Sequence, residues 1–244
     1  MLVRIGGMNP ERIPYGGDAS QFFDLWRPEQ AVAGFAAFLH GGFWRAKYDL
    51  SHANPVCAAL AARGMIAANL EYRRVGQPGG GWPATFEDVV AALKAVSRHI
   101  GRAPVVVGHS AGGHLALRLA SQPLSVKAVI ALAPVADLRL AYGLNLSNGA
   151  VVEFLGGTPE AMPSRYDEAC ASLHASSVRR VIVHGTNDED VPIDIARAYI
   201  RARQNDAEPP SLLEIADTGH MDLIDPESPA GLSVIDLVAR LARE

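Results

Sequence analysis

Apolar residues come in two kinds of run along this chain. Short, mostly apolar runs at 33–39, 65–70, 105–107, 127–132, 180–183 and 212–215 predict β-strands, with 105–107 a buried one. Between them the apolar positions recur every three or four residues. Phe86, Val89, Val90, Leu93, Val96 and Ile100 trace one face of a helix. Asn54-Pro55 opens another, with Asn as N-cap and Pro at the first helical position; it runs through Val56, Ala59 and Leu60 and stops at Gly64. Residues 193–203 and 232–241 predict two more helices, and 21–27 an added edge strand. Strand and helix alternating through short connections make a mostly parallel sheet with helices on both faces, an α/β architecture.

The 244 residues suit one large α/β domain, 1–244. The least regular part, 134–177, predicts a minimal cap or one packed excursion, in which Thr158-Pro159 caps a short helix. Hydrophobic residues make up 49% and charged residues 20%, as in ordinary globular proteins. The net charge of −4, with no basic run, argues against nucleic acid as a partner. Cys57 and Cys170 both fall in Ala-rich, helical stretches and are expected as small buried residues, not as a disulfide framework. The first ten residues lack the apolar centre of a signal peptide, and no run is long enough to cross a bilayer, so a cytoplasmic protein is expected.

The chemistry starts at Gly108-His109-Ser110-Ala111-Gly112-Gly113, between the strand at 105–107 and a helical run from His114. Gly-x-Ser-x-Gly at a strand-to-helix corner lifts the serine out of the sheet edge and exposes it to a substrate. The first turn of the helix offers free N–H groups there. A serine hydroxyl is a weak nucleophile and needs a base, and the base needs an acid to fix its tautomer. His220, in a loop after the last strand, is the candidate base. The acid candidates cluster at Asp188, Glu189 and Asp190, after the strand at 180–183. Ser, acid, His is the chain order of this site type. His40-Gly41-Gly42-Phe43-Trp44 follows the strand at 33–39. Its glycines let backbone approach a substrate, so Gly42, Phe43 and Ala111 are the candidate oxyanion donors, with His40 bracing the loop. His109, His114 and His184 are expected to be structural.

Together the HGG, GHSAGG and HGTNDxDVP segments resemble the α/β-hydrolases that carry an HGG oxyanion motif, a group including hormone-sensitive-lipase-like esterases and kynurenine formamidases. The resemblance runs from about residue 15 to the end. It implies an α/β-hydrolase fold and makes Asp188, the Asp of G-x-x-D-x-x-V-P, the triad acid. Phe43 stands where lipase-like members carry a third glycine. The HGGFW string is instead similar to the HGGxW motif of kynurenine formamidases and small bacterial carboxylesterases. The implied activity is hydrolysis of small carboxylic esters through an acyl-enzyme on Ser110, Asp188 and His220, with arylformamidase activity on a formamide as the alternative. A hydrolase-fold binding protein without turnover is the reading from a different class. Trp44 and Trp82, beside Phe43, are candidates for an apolar substrate pocket. Of Arg73 and Arg74, one is expected to pair with a carboxylate and the other to be solvated. No metal-ligand spacing and no Gly-x-Gly-x-x-Gly turn is present, so no cofactor or metal is expected.

Overall fold

The computed structural model describes residues 9–29 and 32–244. The reading of the first ten residues therefore lies outside the described residues except at Asn9 and Pro10. Eight strands form one sheet: β1 Glu11–Pro14, β2 Phe22–Trp26, β3 Gly34–Leu39, β4 Met65–Leu70, β5 Val105–His109, β6 Ala128–Leu132, β7 Arg180–Gly185 and β8 Ser211–Ile215. Their order is β1-β2-β4-β3-β5-β6-β7-β8. The pairs β1·β2 and β2·β4 are antiparallel and the rest are parallel. The helices are α1 Asn54–Ala62, α2 Ala84–Ile100, α3 Ala111–Leu119, α4 Leu138–Gly143, α5 Ala150–Leu155, α6 Pro163–Ala169, α7 Asp194–Arg203 and α8 Pro229–Arg243. This is the α/β-hydrolase fold.

Strand side chains alternate between two cores, as the period of two requires. Phe35, Ala37 and Leu39 of β3 join the core under α2, α3 and α7. Ala36 and Phe38 join the core under α1 and α8. With both faces covered, the central strands can be apolar throughout, which explains the mostly apolar runs. A one-residue slip of β3 would exchange the two sets, so the pattern also specifies register. Both cysteines are free and buried.

Two local expectations are corrected. The 21–27 segment does form a strand, but β2 is not the edge, because β1 pairs outside it. The Glu-Arg-Ile-Pro sequence of β1 is too short and polar to show a period. Thr158-Pro159 starts no helix; the short helix there opens one turn later at Pro163.

The sheet order places the site. Strands β3 and β5 are neighbours, yet the chain leaves β3 toward β4 on one side and leaves β5 toward β6 on the other. Loops at such a reversal diverge and leave a crevice at the strands' C-terminal ends. Leu39 pairs with Gly108, so His40–Gly42 and His109–Ser110 emerge side by side. At the far edge Gly185 pairs with Ile215, which brings the loops carrying Asp188 and His220 together.

Candidate active site

Ser110 sits at the β5–α3 corner with φ 56° and ψ −118°. A non-glycine residue held there stores roughly 1–3 kcal/mol of strain, maintained by its surroundings. The glycines around it are sterically required. A Cβ on Gly108 would stand 2.2 Å from the Gly112 carbonyl oxygen, and one on Gly112 would stand 2.1 Å from that of Leu39. Ser110 N–H donates to Leu132 O at 2.8 Å and its carbonyl accepts from His114 N–H at 3.1 Å, locking the corner to β6 and α3. One expectation changes here. Ser110 is not an exposed residue; it is 2% accessible and lines the wall of a cavity of about 440 Å³.

His220 lines the same cavity. Its Nδ1 lies 2.6 Å from Asp188 Oδ2. A carboxylate oxygen only accepts, so Nδ1 carries a proton, and in the neutral ring Nε2 then keeps its lone pair. Asp188 is held in turn by the backbone N–H groups of Asp190 (3.0 Å) and Val191 (2.8 Å), which donate to Oδ1. His184 Nε2 donates to the Val191 carbonyl at 2.8 Å and stands 3.4 Å from Asp188 Oδ2. Burial raises the Asp188 pKa. The donors at His184, His220 and Val191 outweigh that and hold it well below the usual carboxylate range. The acid is therefore ionised at neutral pH. The β7 and β8 loops are stitched by Thr186 N–H to Ile215 O (2.9 Å) and Asn187 N–H to Thr218 O (3.0 Å). Gly185 permits this, because a Cβ there would meet Thr218 O at 2.2 Å. Of the rival acids, Asp190 lines the cavity with no hydrogen bond from its side chain to the imidazole among the described residues, and Glu189 is exposed.

The loop after β3 turns through positive φ at Gly42 (103°), Phe43 (49°) and Trp44 (58°). Gly42 fits because a Cβ would strike that of Tyr48 at 2.4 Å. Gly41 N–H is committed to His52 Nε2 at 3.2 Å. The N–H groups of Gly42, Phe43 and Ala111 make no hydrogen bond among the described residues, and Gly42 and Phe43 line the cavity. Beneath the loop His40 is fully buried. Its Nε2 donates to Glu71 Oε1 at 2.9 Å, its ring stacks on Tyr72 at 4.3 Å, and Tyr72 O–H donates to the His40 carbonyl at 2.7 Å. Glu71 also accepts from Leu50 N–H and Tyr72 N–H. Sequence reasoning missed His52 and Glu71. Neither lies in a motif or at a periodic position.

The two candidate pocket tryptophans are placed elsewhere. Trp44 is 0% accessible and stacks on Phe154 with ring centroids 4.4 Å apart. Trp82 packs on Phe86 and against the edge of Phe154. Both root their loops in the core against Phe154 of α5, since large apolar rings gain most by full burial. Phe43 alone of the three aromatics lines the cavity, joined by Tyr48, Met221 and Ser147. Ser147 comes from the 134–177 excursion. Arg45 clamps that excursion to the loop after β3, donating to Ser147 Oγ (2.9 Å), Ser147 O (2.8 Å) and the Glu153 carboxylate (2.7 Å). Arg73 pairs with Asp88 at 2.7 Å, as one of the two arginines was expected to pair. Arg74 is not solvated; it is buried against Tyr48 O and Glu71. The 79–81 glycine loop lines no part of the cavity. Among the described residues no group of three or more His, Cys, Asp or Glu is placed to hold a metal ion.

The sequence model of the BD-FAE family matches residues 23–201, well over half of the chain. The chain belongs to the BD-FAE family. Two curated relatives come from Mycobacterium tuberculosis. Esterase LipC is 26% identical over 254 residues, covering 88% of this chain and 60% of LipC. Probable carboxylic ester hydrolase LipM is 29% identical over 226 residues, covering 81% and 52%. This BD-FAE chain thus spans between about half and three-fifths of their length. Among solved structures, the thermophilic esterase Est2 of Thermogutta terrifontis with propionate bound superposes with a TM-score of 0.75 at 23% identity, covering 98% of this chain and 94% of Est2. That likeness concerns the fold.

Three histidines around the site are expected to make this BD-FAE chain acid-sensitive. Burial lowers the pKa of His114 to about 4 and, with the neighbouring His40, that of His52 to about 4. Burial and the neighbouring His220 push His109 well below its ordinary value. The unfolded chain takes up these protons near pH 6.5, whereas the folded chain refuses them until much lower pH. Stability contributed this way is fully present above about pH 6.5 and falls as pH drops toward 4. For the fully buried His114 alone the loss reaches about 3 kcal/mol by pH 4. Urea unfolding at pH 7.5 and 4.5 is expected to show a drop of that order or more. A midpoint that does not change over this interval would contradict the buried neutral histidines.

Proposed function

We propose that the chain is a serine hydrolase that cleaves small carboxylic esters through an acyl-enzyme. The observation that carries this reading is the 2.6 Å contact between His220 Nδ1 and Asp188 Oδ2, with His220 and Ser110 on the wall of one cavity. Ser110 attacks the ester carbonyl while His220 Nε2 takes its proton. Asp188, ionised and rigidly held, keeps the imidazole in that tautomer and stabilises the imidazolium. The N–H groups of Ala111 and of Gly42 or Phe43 receive the oxyanion, since no other bond occupies them. His220 then protonates the leaving alcohol. Water repeats the sequence on the acyl-enzyme and releases the acid. The names of esterase LipC and probable carboxylic ester hydrolase LipM support the same reading.

Cavity size points to short acyl groups. A volume of about 440 Å³ is toward the small end of ligand pockets. The 134–177 segment is spent on three short helices packed on the core, with Ser147 reaching the cavity. Acetate and butyrate esters are expected to exceed laurate and palmitate esters in kcat/KM. A strong preference for the long chains would contradict the reading. The same panel should contain N-formylkynurenine, the formamide suggested by the HGGFW string. Its carboxylate would meet no Arg or Lys in the cavity wall, whose one carboxylate is Asp190. If it exceeded every ester by a hundredfold, about 2.7 kcal/mol of transition-state binding, the formamidase reading would replace this one.

A further inference from the structure

We propose that His109, beside the nucleophile in the sequence, is a positioning residue that fixes the place of His220; this rests on the ester-hydrolase reading above. The need for such a residue follows from the sheet order. His220 leaves the sheet at β8, three strands from β5, a distance of about 14 Å at ordinary strand spacing. Asp188, on the neighbouring β7 loop, holds the His220 ring at Nδ1 but ties it only to that far edge. The tie to the nucleophile strand comes from His109, whose Nε2 lies 3.0 Å from the His220 main-chain carbonyl oxygen.

The tautomer follows from the partner. A carbonyl only accepts, so Nε2 carries the hydrogen and donates it. His109 Nδ1 is then a lone pair, buried and without a partner. It lies under the oxyanion loop, 3.2 Å from the point where a Cβ on Gly41 would stand. The two histidine rings pack at 4.5 Å between centroids, tilted by 47°. Residue 109 is thus wedged between the oxyanion loop, the nucleophile and the general base, and it is 2% accessible. Burial and the adjacent His220 keep its imidazole neutral, leaving a single N–H for the His220 carbonyl. His109 takes no proton from the substrate. Its effect passes through the position of His220, where a displacement of about 1 Å can cost a hundredfold in rate.

The test compares His109→Leu with His109→Gln on a short 4-nitrophenyl ester, with thermal unfolding of each variant measured alongside. The amide nitrogen of Gln lies as many bonds from Cβ as Nε2 of His and can donate to the same carbonyl. Leu fills the space without donating. His109→Leu is expected to lower kcat about 10- to 100-fold with KM within about threefold of wild type. His109→Gln is expected to retain about a third of the wild-type kcat or more. Wild-type kcat in the Leu variant, equal losses in Leu and Gln, or a loss carried by KM would each overturn the proposal. If the Leu variant does not fold, His109→Asn replaces it; its amide falls one bond short, and kcat about tenfold below the Gln variant is expected. Equal rates in Asn and Gln would overturn the proposal. Ser110→Ala separates the two readings. Turnover surviving that change defeats the ester-hydrolase reading, whereas a dead Ser110→Ala with an unaffected His109→Leu defeats only the role of His109.

Discussion

Ser110→Ala is expected to lower kcat for a short ester by about 10⁴- to 10⁶-fold, the range over which removing a triad nucleophile acts. The change deletes one hydroxyl and keeps the Cβ, so the corner at φ 56° is as accessible to Ala as to Ser. Its backbone bonds to Leu132 and His114 persist. Thermal unfolding should therefore stay close to that of the wild type while turnover disappears. Retention of more than a few per cent of kcat would place the nucleophile elsewhere.

Asp188→Asn carries the next largest expected effect. The carboxylate accepts from His220 Nδ1 at 2.6 Å and from two backbone N–H groups. An amide in its place presents an NH₂ to at least one of those donors, and the His220 ring then favours the tautomer with Nε2 protonated. In a serine-protease triad the same change costs about 10⁴ in kcat. Asp190→Asn provides the contrast. Asp190 contributes its main-chain N–H to Asp188, not its side chain, so the variant keeps the Asp188–His220 pair and is expected to stay within about threefold of wild type. A reversed ranking would move the acid to Asp190.

The architecture was legible because its signals are local. β-branched and alanine runs mark the buried strands β3 to β7, the edge strand β8 is largely exposed, and β3 to β8 each begin or end within two residues of the runs that predict them. β1 was not legible. Its four residues, Glu-Arg-Ile-Pro, bury too little to leave a period, and it forms by pairing with β2. The candidate site shows the same division. Ser110, Asp188 and His220 sit in Gly-rich or turn-rich strings whose backbone demands are written in the sequence. His52 and Glu71 act through loops packed against loops, which no spacing reveals. Trp44 shows the limit of neighbourhood in sequence. It follows Phe43 in the chain, yet the positive φ at both residues directs successive side chains to different places, and Phe154, more than a hundred residues away, takes the indole ring. Likewise His109 looked structural from its position beside the nucleophile. Its contact with His220 is set by the return of the β8 loop across three strands.

The most direct test of the central claim is covalent. A fluorophosphonate probe reacts with a serine hydroxyl only where a base activates it and donors stabilise the incoming oxyanion. Incubating the protein with the probe, then digesting it and mapping peptides by mass spectrometry, reads nucleophile, base and oxyanion site together. One adduct per chain is expected, on Ser110, with labelling greatly slowed in Asp188→Asn and absent in Ser110→Ala. An unlabelled protein, or an adduct on another residue that persists in Ser110→Ala, would contradict the account.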